Sequence, residues 1–128
     1  MLDGCLVDLD FDAGSDAALD QASTLCLAGM QRMAATELDG GGIAFQIDDP
    51  TRCVRVAAAG VHGVRAIDLA ILDASGRRLA ATQARAPFAW VPARGPLCVA
   101  AAGTYRALAR VTEGTGRLAV GAWQAKAD

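Results

Sequence analysis

The chain is poor in most of what carries chemistry. Its 128 residues include one histidine, one lysine, one tyrosine, two tryptophans and three phenylalanines. With one imidazole, a His-rich metal centre is excluded, and any nucleophile needing a histidine base must use His62, which sits in Gly60-Val61-His62-Gly63. The three serines, Ser15, Ser23 and Ser75, fall in a cap, a helical stretch and a turn, and none stands in a nucleophile elbow. There is no Cys-x-x-Cys, hence no framework for structural zinc. Gly40-Gly41-Gly42 is the one glycine run, and it leads into a strand pattern without Lys-Ser/Thr, so nucleotide binding is not supported. No apolar run reaches the roughly 18 residues that a membrane-spanning helix needs.

What is present is small and apolar. Hydrophobic residues make up 53% of the chain, and 29 of them are alanines, so the larger ones suffice for a single modest core. One compact domain with a short extension is expected. The net charge of −2 hides a division: residues 1–49 hold ten acidic groups and one arginine, whereas residues 50–128 hold four acidic and eleven basic groups. The basic residues are dispersed singly, with only Arg77 and Arg78 adjacent. That is the pattern of a body that partly neutralises an acidic segment, and no nucleic-acid partner is expected. The bias to arginine, alanine and glycine fits a GC-rich bacterial genome.

Four cysteines, Cys5, Cys26, Cys53 and Cys98, leave two readings open: two disulfides in an oxidising compartment, or four thiols packed as small hydrophobes. Met1 to Asp12 carries neither a basic n-region nor a long apolar h-region. The chain is therefore expected to be either cytoplasmic, if Met1 is the true start, or part of a longer exported protein, periplasmic or extracellular. The cysteines fit the second better.

Periodicity divides the chain. Leu19, Ala22, Cys26, Met30 and Met33 recur at helical steps, Ser15 or Asp16 can cap, and the glycine run ends any continuation, which predicts a helix over 16–36. From residue 43 the period changes to two. Strands are predicted over 43–47, 52–58, 66–73, 78–83, 88–91, 97–101, 105–112 and 116–123, separated by short glycine- or proline-containing breaks. The expected fold is mainly β, an antiparallel, jelly-roll-like β-sandwich preceded by one α-helix. The expected divisions are an acidic segment (1–42), the sandwich (43–124) and a tail (125–128).

Few constellations remain. Asp48-Asp49 precedes Pro50 and reads as a turn; Asp68 and Asp73 lie five apart on a strand and face opposite sides, so neither pair forms a hydrolytic site. Asp8, Asp10, Asp12 and Asp16 resemble a calcium loop, but the glycine falls one place late and Leu19 stands at position twelve. Leu9 and Phe11 alternate with these aspartates, as on a half-buried strand with a solvated acidic face. Trp90, beside Phe88 and the Pro92–Pro96 stretch, reads either as an exposed platform for sugar or peptide or as packing. Packing is preferred, because one aromatic does not make a binding face. Asp73-Ala74-Ser75-Gly76 is expected to form a tight turn whose aspartate accepts backbone N–H groups while Gly76 takes positive φ. Tyr105 is expected to anchor a strand start with a buried ring and a bonded hydroxyl.

Arg52-Cys53-Val54-Arg55-Val56, Ile67-Asp68-Leu69-Ala70-Ile71-Leu72-Asp73-Ala74-Ser75-Gly76 and Ala102-Gly103-Thr104-Tyr105-Arg106 with Gly114-Thr115-Gly116 together resemble the bacterial pre-peptidase C-terminal type of β-sandwich over about residues 43–124. The resemblance implies a non-catalytic accessory module of an exported protein, with a polymeric or protein partner in some members and calcium in others. Ala66 replaces the first aspartate that the family commonly places on this strand, so the resemblance does not extend calcium binding to it. It does place a cysteine at both Cys53 and Cys98. Each lies on the strand face opposite its valine and leucine neighbours, so the two sulfurs can meet if those strands are adjacent, which leaves Cys5 to pair with Cys26. The expected function is a non-catalytic accessory or binding module with a protein or polysaccharide partner and no cofactor. The alternatives are a calcium-binding stabilising domain and a small hydrolase using His62.

Overall fold

The computed structural model describes residues 30–38, 42–60, 63–92 and 97–125. Nine strands run in order: β1 (Met30–Arg32), β2 (Ala35–Leu38), β3 (Gly42–Ile47), β4 (Val54–Gly60), β5 (Val64–Leu72), β6 (Arg78–Ala84), β7 (Phe88–Val91), β8 (Gly103–Gly114) and β9 (Leu118–Ala125). They form two antiparallel sheets, one ordered β1-β9-β4-β7 and the other β2-β3-β8-β5-β6.

Alternation builds the five-stranded sheet. Ile43, Phe45 and Ile47 on β3, Ile67, Leu69 and Ile71 on β5, and Tyr105, Ala107 and Ala109 on β8 point inward, and their sequence neighbours point to solvent. Val54, Val56 and Ala58 on β4, Ala89 and Val91 on β7 and Ala122 on β9 meet them from the four-stranded sheet in one hydrophobic cluster. β4 is different. All seven of its residues are buried, so its outer face, with Arg55, Ala57 and Ala59, is as dry as its inner one. Alanine is a weak strand former, but a strand buried on both faces is held by its ladder and by packing, not by local preference.

The predicted helix over 16–36 is corrected where it can be seen. Residues 30–32 pair with β9 and residues 35–38 with β3, so the chain crosses between the sheets at Met33 and Ala34. Met33 packs against the core as its N–H donates to the Ala122 carbonyl at 2.8 Å, and Met30 is half-buried at the start of β1. Two methionines spaced for one helical face are thus used on either side of a crossover. Backbone pairing along both flanking strands outweighs the helical spacing of a few side chains. The remainder, 16–29, lies outside the described residues. The sheets accordingly take in residues ahead of 43, and β9 runs through Ala125.

A second correction concerns 97–101. It forms no strand; Leu97 makes an isolated bridge to Val54, with N–H···O distances of 2.8 and 2.6 Å. That bridge still sets the cysteines opposite each other. With Val54 and Leu97 as a hydrogen-bonded pair, Cys53 and Cys98 occupy the adjoining non-hydrogen-bonded position, where strands approach most closely, and they form a disulfide with Cα atoms 4.2 Å apart. Tyr105 behaves as expected: its ring is buried and its hydroxyl donates to the Ala101 carbonyl at 2.6 Å.

Candidate binding face

The two sheets each have an outward face, and the fold treats these oppositely. On the four-stranded sheet, Trp90 and Trp123 are 4% and 0% exposed. The Arg55 guanidinium lies 4.4 Å from the Trp90 ring centroid, its Nε donates to the Pro92 carbonyl at 3.2 Å, and Arg32 stands 5.5 Å over Trp123. Phe88 meets Trp90 edge-on at 4.9 Å. Trp90 is therefore packing and not an open platform, and its stack lets Arg55 be carried on a buried face, while Arg32 stays exposed.

The five-stranded sheet leaves its outer face open. Its register sets β5 as a floor with a neighbour on either side: Leu72 between Arg106 and Arg78, Ala70 between Leu108 and Ala81, and Asp68 between Arg110 and Gln83. Leu108 is 41% exposed at the centre. A Cβ on Gly42, its neighbour on β3, would meet Leu108 Cδ2 at 2.8 Å. The absent side chain lets Leu108 lean toward β3 and leaves space above Ala70. The result is a groove of about 480 Å³ along β5, apolar at its middle. At one end Arg110 Nη2 donates to Asp68 Oδ2 at 3.1 Å. Both partners are substantially solvated, so this pair orients more than it stabilises. At the other end Arg78 and Arg106 have no carboxylate partner among the described residues. No aromatic ring stands on this face among those residues, since Phe45 and Tyr105 point into the core and the others described belong to the opposite sheet.

The carboxylates singled out in the sequence are kept apart. Asp68 lies on the open face, and Asp73 closes the β5–β6 turn, where its Oδ1 accepts from Ser75 N–H (3.0 Å), Ser75 Oγ (2.6 Å) and Arg77 N–H (2.9 Å) while Gly76 has φ +88°. Asp49 makes the same kind of turn with Thr51. The Ser75 hydroxyl, then the Arg77 N–H, hold the Asp73 carboxyl below its ordinary value of 3.8, and the Thr51 hydroxyl and N–H do the same for Asp49. A carboxylate with a lowered folded pKa contributes stability that is present above its unfolded pKa and is lost as pH falls through the folded one. Acid unfolding of the wild type should therefore steepen below about pH 4, and Asp73→Asn should flatten that limb without changing stability's dependence on pH near neutrality. Urea melts of both proteins down to about pH 2.5 check this; parallel curves would remove Asp73 from the acid response.

Asp8, Asp10, Asp12 and Asp16, the Cys5–Cys26 pair and His62 lie outside the described residues. Among those described, no group of three or more His, Cys, Asp or Glu is placed to hold a metal ion, and no helix is long and apolar enough to cross a membrane. Sequence reasoning passed over Leu108, Ala70, Ala81, Arg78 and Arg106. A signal was there: in Tyr105-Arg106-Ala107-Leu108-Ala109-Arg110, Leu108 shares parity with two arginines, which places a large apolar side chain at a solvent position. No protein-family model matches the chain, and no curated protein matches it.

Proposed function

We propose that the chain is a non-catalytic binding module of an exported bacterial protein, a jelly-roll-like sandwich of the pre-peptidase C-terminal kind, which presents the outer face of its five-stranded sheet to a partner. The observation that carries this reading is the half-exposed Leu108 beside the groove over Ala70 and Ala81, with Arg78 and Arg106 at one end and Arg110 at the other. An apolar centre with a polar rim is the composition of an interaction surface. The Cys53–Cys98 bond favours an oxidising compartment, in keeping with export.

The test is binding of the labelled chain to peptide and glycan arrays, with Leu108→Asp as the paired variant. At least one ligand class is expected to bind the wild type and to lose about tenfold or more with the variant, whose Tm stays within a few degrees of wild type. Should no class bind in a Leu108-dependent manner, this face is not the binding surface. Turnover of an arrayed substrate would replace the reading with an enzyme.

A further inference from the structure

We infer that the groove along β5 takes an extended acidic peptide, one carboxylate of which is held between Arg78 and Arg106 while an aliphatic side chain two residues away fills the space above Ala70. This rests on the binding face proposed above and names its ligand class.

The first support is charge. Arg78 and Arg106 both border Leu72, Arg78 across a β-bulge and lining the groove, Arg106 with the parity of Leu108 on β8, so their backbones stand about 5 Å from it on either side. Arg106 Nη2 reaches to within 3.7 Å of where a Cβ on Gly76 would lie, which turns this arginine toward the β5–β6 turn from which Arg78 starts. The one carboxylate of that turn, Asp73, is already committed to Ser75 and Arg77. Two exposed guanidinium groups flanking an apolar floor, with no acid among the described residues paired to them, form a fork that suits one planar carboxylate.

Spacing is the second support. From Leu72 to Ala70 is two residues, about 6.8 Å along the strand, which is also the distance between side chains on one face of an extended peptide. A carboxylate over Leu72 therefore sets the side chain two positions on above Ala70, where Leu108 leaning over Gly42 leaves room for a branched aliphatic group. Further along, Arg110 is occupied by Asp68, so among the described residues the groove offers one uncompensated cationic end and not a repeating series. A polyuronate chain would present a carboxylate at every sugar and would look for aromatic platforms, and this face has neither the repeated arginines nor a ring among the described residues.

The experiment uses the full chain and three labelled probes of the same length: a glycine-serine heptapeptide carrying Glu-Gly-Leu, its Gln-Gly-Leu counterpart, and an oligogalacturonate. Fluorescence anisotropy reads affinity, and amide shifts of Ala70, Ala81 and Leu108 read location. The Glu-Gly-Leu probe is expected to bind and shift those amides. The Gln-Gly-Leu probe should bind about tenfold more weakly, and Arg106→Ala and Arg78→Ala should each lose about as much while keeping the wild-type Tm. Arg106→Lys should recover only part of the loss, because an ammonium cannot share a carboxylate as a fork does. Equal binding of both peptides, preference for the oligogalacturonate, indifference to both arginine variants, or no binding of the Glu-Gly-Leu probe at millimolar concentration each overturns the inference. If the arrays meanwhile show Leu108-dependent binding of another ligand class, the binding face stands and only its ligand is reassigned. If they show none, both readings fall together.

Discussion

Leu69→Asp is expected to abolish the cooperative fold. Leu69 is 1% exposed in the middle of β5, between Thr82 and Ala109, and points into the cluster shared by the two sheets. Removing the leucine alone costs about 2–5 kcal/mol in lost transfer and cavity. The aspartate then either stays ionised in an apolar surrounding, at a cost of several kcal/mol more, or draws water into the core. Against the roughly 5–15 kcal/mol that holds a domain of this size, the combined effect removes most or all of the folded population. The variant should show no sigmoidal thermal transition and no near-ultraviolet tyrosine and tryptophan signal. Leu69→Ala, measured beside it, should still melt cooperatively at a lower temperature. A Leu69→Asp protein melting within about 10 °C of wild type would place this side chain outside the core.

Breaking the Cys53–Cys98 bond is expected to have the next largest effect. The bond joins residues 45 apart in sequence, and the closed loop contains β4, β5, β6 and β7. In the chain-entropy account, closing a loop of this length in the unfolded chain is worth about 4 kcal/mol, and less wherever the denatured state keeps structure. For a domain of about 100 residues that corresponds to a fall in Tm of roughly 15–30 °C. Cys98 is exposed and Cys53 half-buried, so dithiothreitol has access, and Cys53→Ser/Cys98→Ser removes this bond alone and should show the fall without reductant. A Tm unchanged by either treatment would mean that the loop is already closed by the Val54–Leu97 bridge and the sheet ladders.

The strands with clean alternation were legible. In β3, β5 and β8, Ile43, Phe45 and Ile47, then Ile67, Leu69 and Ile71, then Tyr105, Ala107 and Ala109 carry the period of two that one buried face imposes. The Asp73 turn and the Tyr105 anchor were legible because each depends on residues within five positions of one another. What failed to show depends on partners far along the chain. Met30 and Met33 look helical until β9 supplies a ladder more than 90 residues later. The stretch from Leu97 looks like a strand until only one of its residues finds a partner in β4. Arg55 alternates with the inward Val54 and Val56, yet it is 1% exposed, with its guanidinium over Trp90, 35 positions on. The binding face was hidden for the same reason. Leu72, Ala70, Leu108, Arg78 and Arg106 come from three strands, and only the register sets them side by side.

The pairing of Met30 with Ala125 has a mechanical consequence. The first and last described residues are cross-strand partners, so their backbones are about 5 Å apart at one end of the four-stranded sheet. Tension applied at Met30 and Ala125 would not shear the described strands along their length. It would open β1 from β9 like a zipper, one pair at a time: Met30 from Ala125, Gln31 from Gln124, Arg32 from Trp123. Each step loads few hydrogen bonds, so yielding should begin at low force and stop at the crossover, where Met33 is anchored to Ala122. Because Met30 and Ala125 lie side by side, the strands between them add almost no length to the path of the chain from one to the other.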